Sequence, residues 1–423
     1  MRRRLALLCG LVLPLSWVAV SSSGGETDWP QMRGPARNGV GTSRGLARQW
    51  PVKGPFVVWK RPIGPGFSSI AVADGRVYTL AAEGESDWAY SFDAATGQEL
   101  WKSPLGPRFT GEFGDGPRST PTVVDGVVYA ASGRGKLSAL SAADGKAAWS
   151  VDLLATFGGE QPRFGFAPSP LVDGELVVID AGGPGGKGLV ALDRATGKTR
   201  WTFGEAPTGY SSPIAVNLGG VHQILTVRQK EPELVSLTPE GKVNWRSPAP
   251  PYVLSMPVFL PPDQVYLSTS EDVGGELLRI GSENGQPKVE RVWENRLMRN
   301  HVHAAVPVGD YLYGFDNATL KAISMATGEQ AWAHRGFGKG SVISADGLLF
   351  VLSDNGLLTL VEARPDAYQE KGQFQALTGR TWTALSVAGT RLFLRDQDEL
   401  LCLEIGPGVD GLQEAETAAN SPQ

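Results

Sequence analysis

Short runs of alternating apolar and small polar residues recur along the chain, each broken by a turn signal. "SSIAVADGRVYTL", "STPTVVDGVVYAA", "PSPLVDGELVVID" and "SVISADGLLFVLS" each set Asp-Gly between two such runs. A period of two predicts half-buried strands, and Asp-Gly between them predicts a tight hairpin, because glycine accepts the positive φ of such turns. A third run follows ("LVALD", "LSALS", "LKAIS"), then a Thr-Gly or Asp-Gly turn, then a fourth run ending in tryptophan. Four antiparallel strands of this length make one blade of a β-propeller.

The first hairpins fall at Asp74-Gly75, Asp125-Gly126, Asp173-Gly174 and Asp346-Gly347, with degenerate versions at 217–220, 261–264, 309–310 and 389–390. That predicts an all-β, eight-bladed propeller. The strand-ending tryptophans at 59, 101, 149, 201, 245, 293 and 332 lie 39 to 52 residues apart, and Phe374 takes the same place 42 residues after the last. Trp59 ends "PFVVWK", a fourth strand that arrives before any blade has begun, while the last unit, "TALSVAGTRLFLRDQDELLCLEI", has three strands only. The two ends are therefore expected to share the last blade and close the ring, which removes exposed sheet edges. The tryptophans read as core that packs blade on blade.

"ALDRATGKTRW" (191–201) resembles the tryptophan-docking motif of the pyrroloquinoline quinone (PQQ) propeller repeat: Ala, one residue, Asp, two residues, Thr-Gly-Lys, two residues, Trp. "DAATGQELW", "SAADGKAAW" and "SMATGEQAW" are further copies. The repeat occurs in quinoprotein alcohol dehydrogenases and in the propeller subunit of the outer-membrane barrel-assembly machinery, and the resemblance covers roughly residues 50–405. For a dehydrogenase it implies PQQ stacked in the channel with calcium and an Asp base, a vicinal cysteine pair and often a CxxCH haem segment. Neither cysteine motif is present, so PQQ with calcium belongs to the alternative reading, and no cofactor or metal is assigned.

The rest of the sequence sets boundaries. "MRRR", "LALLCGLVLPLSWVAV" and "SSSGG" supply the charged, apolar and small-residue parts of an export signal over 1–23. The expected divisions are then an N-terminal extension over 24–49, the propeller over 50–406 and a disordered acidic tail over 407–423. Loss of Arg2, Arg3 and Arg4 takes the formal charge from −5 to −8. That argues against nucleic acid or an anionic membrane recognised by bulk charge. Cys402 would remain as a lone cysteine, so no internal disulfide forms. The mature chain reads as a periplasmic or extracellular monomer without a membrane span.

Antiparallel order places both sets of short, stereotyped turns on one face and the long, varied loops on the other, where binding residues usually sit. Residues just before the innermost strands should rim a central funnel: Arg118, Phe166, Tyr210, His301, His303, Lys339 and Trp382, with Phe67, Tyr252, Asn300 and Arg380 beside them and Arg395 and Asp396 nearby. Such a set suits a small polar ligand or a loop of an envelope protein, or is simply the wet mouth of a propeller. His301 and His303 share a strand face, yet no third metal ligand stands beside them in sequence. "GGPGGKG" (182–188) resembles a phosphate loop in composition alone and reads as a flexible loop. The functional expectation is an exported binding or scaffold propeller, with a PQQ-dependent alcohol or sugar dehydrogenase as the alternative.

Overall fold

The computed structural model describes residues 28–270 and 273–408. The expected export signal, Cys9 and residues 409–423 of the tail lie outside them. Eight four-stranded antiparallel sheets form the ring. Blades 1 to 7 span residues 71–107, 122–152, 171–203, 214–248, 258–295, 306–335 and 341–375, and blade 8 joins 386–404 to Phe56–Pro62. Phe56 pairs with Glu404 and Pro62 with Glu399, so the N-terminal strand completes the last blade as the surplus Trp59 strand requires. First strands of neighbouring blades touch one another, which makes them the innermost. Both residues of the turns Asp74-Gly75, Asp125-Gly126 and Asp346-Gly347 have positive φ, as two-residue hairpins need.

Six of the seven repeated Trp residues dock under the turn of the next blade, while Trp245 Nε1 donates to Gln223 Oε1 of its own blade at 2.9 Å. Trp59 Nε1 donates to Ala94 O at 3.0 Å, Trp101 to Ala142 O at 2.9 Å, Trp149 to Arg194 O at 2.9 Å and Trp201 to Pro239 O at 2.8 Å. The turn glycine lies flat on the ring. A methyl group at Gly97 would sit 2.6 Å from Trp59, and one at Gly197 2.8 Å from Trp149, so only glycine lets the two surfaces close. Blade 8 has no covalent turn at this place, because its third and fourth strands come from opposite ends of the chain. Gly54 fills the gap and lies so close on Phe374 of blade 7 that a methyl group there would sit 2.5 Å from the ring.

One element of the long-loop face is more ordered than its sequence implies. Leu153–Phe157 form a short helix, α1, whose first turn is capped by Asp152 Oδ1 accepting from Ala155 N at 3.0 Å. "GGPGGKG" is also tighter than a flexible loop: Gly183 pairs with Lys187 across a short turn. Its glycines serve close packing, since a methyl group at Gly182 would strike Thr208 and one at Gly188 would strike Arg228.

The N-terminal extension fills the ring. It enters on the short-turn face, where Asp74 N donates to Asp28 Oδ2, and Trp29 forms an antiparallel bridge with Val72 of blade 1. It turns back over residues 31–38 and leaves through a parallel bridge between Val40 and Ser344 of blade 7. Leu46 N then donates to Asp346 Oδ2 at 3.0 Å on the short-turn face again. At the inner tip Arg33 donates to Ala304 O and Ala305 O, both at 2.7 Å, and Arg37 to Ser169 O and Pro170 O at 3.3 and 3.1 Å. This segment is a plug whose tip reaches the level where the innermost strands begin.

Trp59→Ala removes the indole that bridges the two chain ends, including its contact with Phe393 at 6.0 Å. A loss of about 3–5 kcal/mol in urea unfolding is expected. Stability within about 1 kcal/mol of the parent would mean that closure does not rest on this dock.

Candidate functional site

The long-loop face carries a chain of aromatic rings rather than an open funnel. Tyr210 lies 5.8 Å from Phe164, Phe164 5.3 Å from Phe113, Phe113 6.1 Å from Trp382, and Trp382 6.0 Å from Phe67. These residues come from the loops before blades 1, 2, 3, 4 and 8, so the string crosses the mouth. Spacings of this size suit offset and tilted ring pairs. Guanidinium groups stack on the rings: Arg118 over Phe109 at 4.5 Å and Phe67 at 5.1 Å, Arg380 over Trp382 at 4.7 Å, Arg163 over Phe164 at 5.1 Å. Backbone bonds fix the lid. Arg118 donates to Phe164 O at 2.7 Å and to Gly116 O, Arg380 to Phe113 O at 2.8 Å, and Phe164 N to the Tyr210 hydroxyl at 3.2 Å.

His303 joins lid to plug. Its Nε2 donates to Trp382 O at 3.1 Å, while the carbonyl of the next residue, Ala304, accepts from Arg33. Burial, reinforced by the Arg33 charge, holds the His303 pKa down at about 4, so the ring is neutral at physiological pH. Burial also lowers Arg33 and Arg118 to about 10 and Arg37 to about 9, which leaves all three charged at neutral pH. Asp87, fully enclosed below the lid, is pushed up to about 6 by burial, against the pull of backbone N–H groups at Gly133 and Phe109.

Of the expected funnel residues, Arg118, Tyr210, His303 and Trp382 meet in this assembly, with His301 next to His303. Three others lie inside the walls. Phe166 is fully buried among Leu137, Leu153 and Ile179. Arg395 is also fully buried and bonds Gly64 O and Leu80 O at 2.7 Å, which ties blade 8 to blade 1. Asp396 accepts from Gly379, Asp398 and Glu399 N–H groups and so shapes its own corner. Phe166 precedes an innermost strand as the rim residues do, while Arg395 and Asp396 stand at the end of the second strand of blade 8, on the same face. Their side chains are used up by the wall, so sequence position alone cannot separate them from the lid. Lys339 is exposed, with its backbone N–H on Asp354, outside the ring contacts. Asn300 is buried and bonded to Phe315 O, and Tyr252 is exposed on the loop before blade 5.

The sequence reading missed Phe109, Phe113, Phe164 and Arg163. Their signal was present in "RFTGEFGDGPR" and "PRFGF", two loops that alternate rings with arginines.

The family model described as outer membrane protein assembly factor BamB matches residues 85–334. The chain belongs to this PQQ-like repeat family. Among curated relatives, the dehydrogenase subunit of the alcohol dehydrogenase (quinone) of Komagataeibacter europaeus is 33% identical over 154 residues, 34% of this chain and 20% of that protein. The serine/threonine-protein kinase AfsK of Streptomyces griseus is 31% identical over 152 residues, 36% of this chain and 17% of that one. The matched stretch thus spans a fifth or less of these relatives' own length. The solved structure of BamB from Moraxella catarrhalis superposes with a TM-score of 0.61 at 15% identity, over 83% of this chain and 99% of that one. Quinohemoprotein alcohol dehydrogenase from Comamonas testosteroni superposes at 0.50 and 15% identity, over 90% and 81%. These structural likenesses show the shared fold alone.

The PQQ-like propeller offers a quinone no evident slot. The axis is taken by the plug from one side and by the mutually packed lid from the other. Cys402 is enclosed in the blade 8 wall, its thiol pushed up to about 12 by burial. Among the described residues no three His, Cys, Asp or Glu side chains gather as a metal-ligand group. A cleft of about 400 Å³ lies at the short-turn end of the channel beside Val40, Arg44 and Asp346, where the plug leaves, and one of about 480 Å³ lies off the axis beside Lys230 and Arg246. In the first, Asp346 is already held by Leu46 N and Arg48.

The two shifted groups make opposite demands on pH. The unfolded chain protonates His303 near 6.5 and the folded chain near 4, so this residue's contribution is lost as pH falls from 6.5 to 4. The folded chain keeps the Asp87 proton up to about 6 while the unfolded chain gives it up near 3.8, so stability is lost as pH rises through that interval. Each slope is at most about 3 kcal/mol over its window. The parent should show a shallow profile between pH 4 and 6.5. Asp87→Asn should become steadily more stable with rising pH, and His303→Gln less stable, as read from urea midpoints. Identical profiles for both variants would show that neither group is perturbed.

Proposed function

We propose that this protein is an exported envelope propeller that holds a protein partner on its long-loop face. The observation that carries this reading is that the axis is filled from both ends. What remains available on the varied face is a surface of rings and arginines, the composition of protein-binding hot spots. Membership in a family described as outer membrane protein assembly factor BamB favours an assembly or scaffold role in the envelope. No helix among the described residues is long and apolar enough to cross a membrane. A photo-crosslinking amino acid placed at position 164 in the native cells should therefore yield a discrete adduct, while the same group at position 143, in a short turn of the opposite face, should not. Adducts from position 143 alone would move the binding surface to the other face.

The second reading, a PQQ-dependent alcohol or sugar dehydrogenase, is favoured by the quinone-enzyme relatives at 33% and 35% identity. The group would need a slot on the axis and a calcium donor set, and the residues described above supply neither. Incubation of the purified protein with PQQ and calcium is expected to give no cofactor-dependent dye reduction with alcohols or sugars and no stoichiometric PQQ retention on gel filtration. Stoichiometric retention together with turnover would establish the dehydrogenase.

A further inference from the structure

The rings of the long-loop face are not equally covered. Phe113 and Phe164 are 43% and 36% exposed, although they form the middle of the string. Contiguous exposed aromatic surface on a soluble protein marks a contact site more often than chance. The charges around it run against the rest of the molecule. The chain is net acidic, at −5, yet Arg163 and Arg380 stand exposed on these rings and Arg118 lies beside them. Below, the tip guanidinium groups of Arg33 and Arg37 are buried with backbone carbonyls and the Gln31 amide as their acceptors, not carboxylates. Glu112, paired with Arg163 at 2.8 Å, is a mostly exposed acid within this group.

A guanidinium lying flat on a ring keeps its edge N–H groups in the fork that a carboxylate accepts. Arg163 spends one of them on Glu112 and Arg380 one on Phe113 O, so a partner carboxylate would take the remaining N–H groups or displace Glu112. Exposed Phe113 and Phe164 between two such forks offer an aromatic or branched aliphatic side chain a ring to pack against. A small anion would want an enclosed pocket, and the mouth is closed by the lid. An extended polyanion such as nucleic acid would meet a protein of the same overall charge.

We propose that this face docks an acidic segment of its protein partner, carboxylates on Arg163 and Arg380 and an aromatic side chain against Phe113 and Phe164. This rests on the reading of the long-loop face as the binding face and names the chemistry that it recognises.

Fluorescence anisotropy with a short labelled peptide, one Trp flanked by Asp and Glu, tests it on the full mature chain. Counterparts carry Lys in place of the acids, or Ala in place of Trp. The acidic Trp peptide should bind, with affinity falling as salt rises, and both counterparts should bind at least about tenfold more weakly. Arg163→Glu combined with Arg380→Glu, and separately Phe164→Ser, should each weaken the acidic peptide at least about tenfold. Lys146→Glu on the short-turn face should leave it unchanged. Because Arg380 and Phe164 also hold the lid, each variant is first required to melt within about 5 °C of the parent, so that lost binding is not lost fold. Equal binding of the acidic and basic peptides, or undiminished binding by the charge-reversed variant, overturns the proposed chemistry. If adducts still form at position 164 in cells, the binding face survives that outcome. If they form on the opposite face, the face assignment fails with it.

Discussion

The structure depends on one contact made repeatedly: an indole from one blade lying under the turn glycine of the next. The indole supplies a broad apolar surface and one N–H, and the glycine supplies a carbonyl-bearing turn without a side chain in the way. Among these docks the exception is Trp332, which donates to Arg364 O on a turn without glycine and packs against Tyr368. A larger turn residue would lift the blades apart, and a smaller strand residue would leave a void between them. Because every dock joins two blades, the ring is stable only when the last dock closes. Trp59 on the Gly97 turn and Gly54 on Phe374 perform that closure with residues from the start of the chain. Chain ends and ring integrity are thus one constraint.

Closure also fixes where the N-terminal extension must run. The strand at Phe56–Pro62 lies outermost in blade 8, yet Trp29 and Val40 lie on the axis. The segment between them must cross from the channel to the rim on the short-turn face, and the bonds of Leu46 and Ala47 trace that path. Inside, the innermost strands present backbone carbonyls with no further strand to accept from. Arg33 and Arg37 answer them, each spanning two consecutive carbonyls. Burying two guanidinium groups without a carboxylate is unfavourable, and charge-assisted bonds to carbonyls offset part of that cost. The Arg33 charge is felt at His303, which binds the lid, so plug and lid are electrostatically continuous.

Architecture was legible in the sequence because its signals are local and repeated. Asp-Gly hairpins and Thr-Gly turns that run into a terminal tryptophan are short motifs, and the copies corroborate one another even though each dock reaches 32 to 45 residues ahead. Ring closure was legible by counting strands. The plug was not, since Arg33 meets residues some 270 positions away and its acceptors are carbonyls, which every residue owns. The site was legible only in part for a related reason. Arg118, before the innermost strand of blade 2, and Arg395, at the end of the second strand of blade 8, both lie at the long-loop face and carry the same side chain. One stacks on rings at the surface while the other vanishes between blades 8 and 1. What separates them is the length of the loop beside each: the long loops before blades 2 and 3, residues 108–121 and 153–170, can fold back over the mouth, and the short corner at Asp396 cannot.

Members of one propeller family can carry cofactors or none, because the docks that hold the blades lie far from the axis. What differs between them is what occupies the axis and what covers the mouth. In this chain the axis is given to a segment of the protein itself, anchored at both ends and bonded along its length to blades 1, 2, 3, 6 and 7. A removable ligand would have to displace those bonds and the lid together. A partner segment meeting the lid from outside displaces neither. It finds rings and guanidinium groups already held by backbone bonds, so little side-chain freedom is lost on contact. The rigidity that makes the channel a poor pocket is what makes its cover a prepared surface.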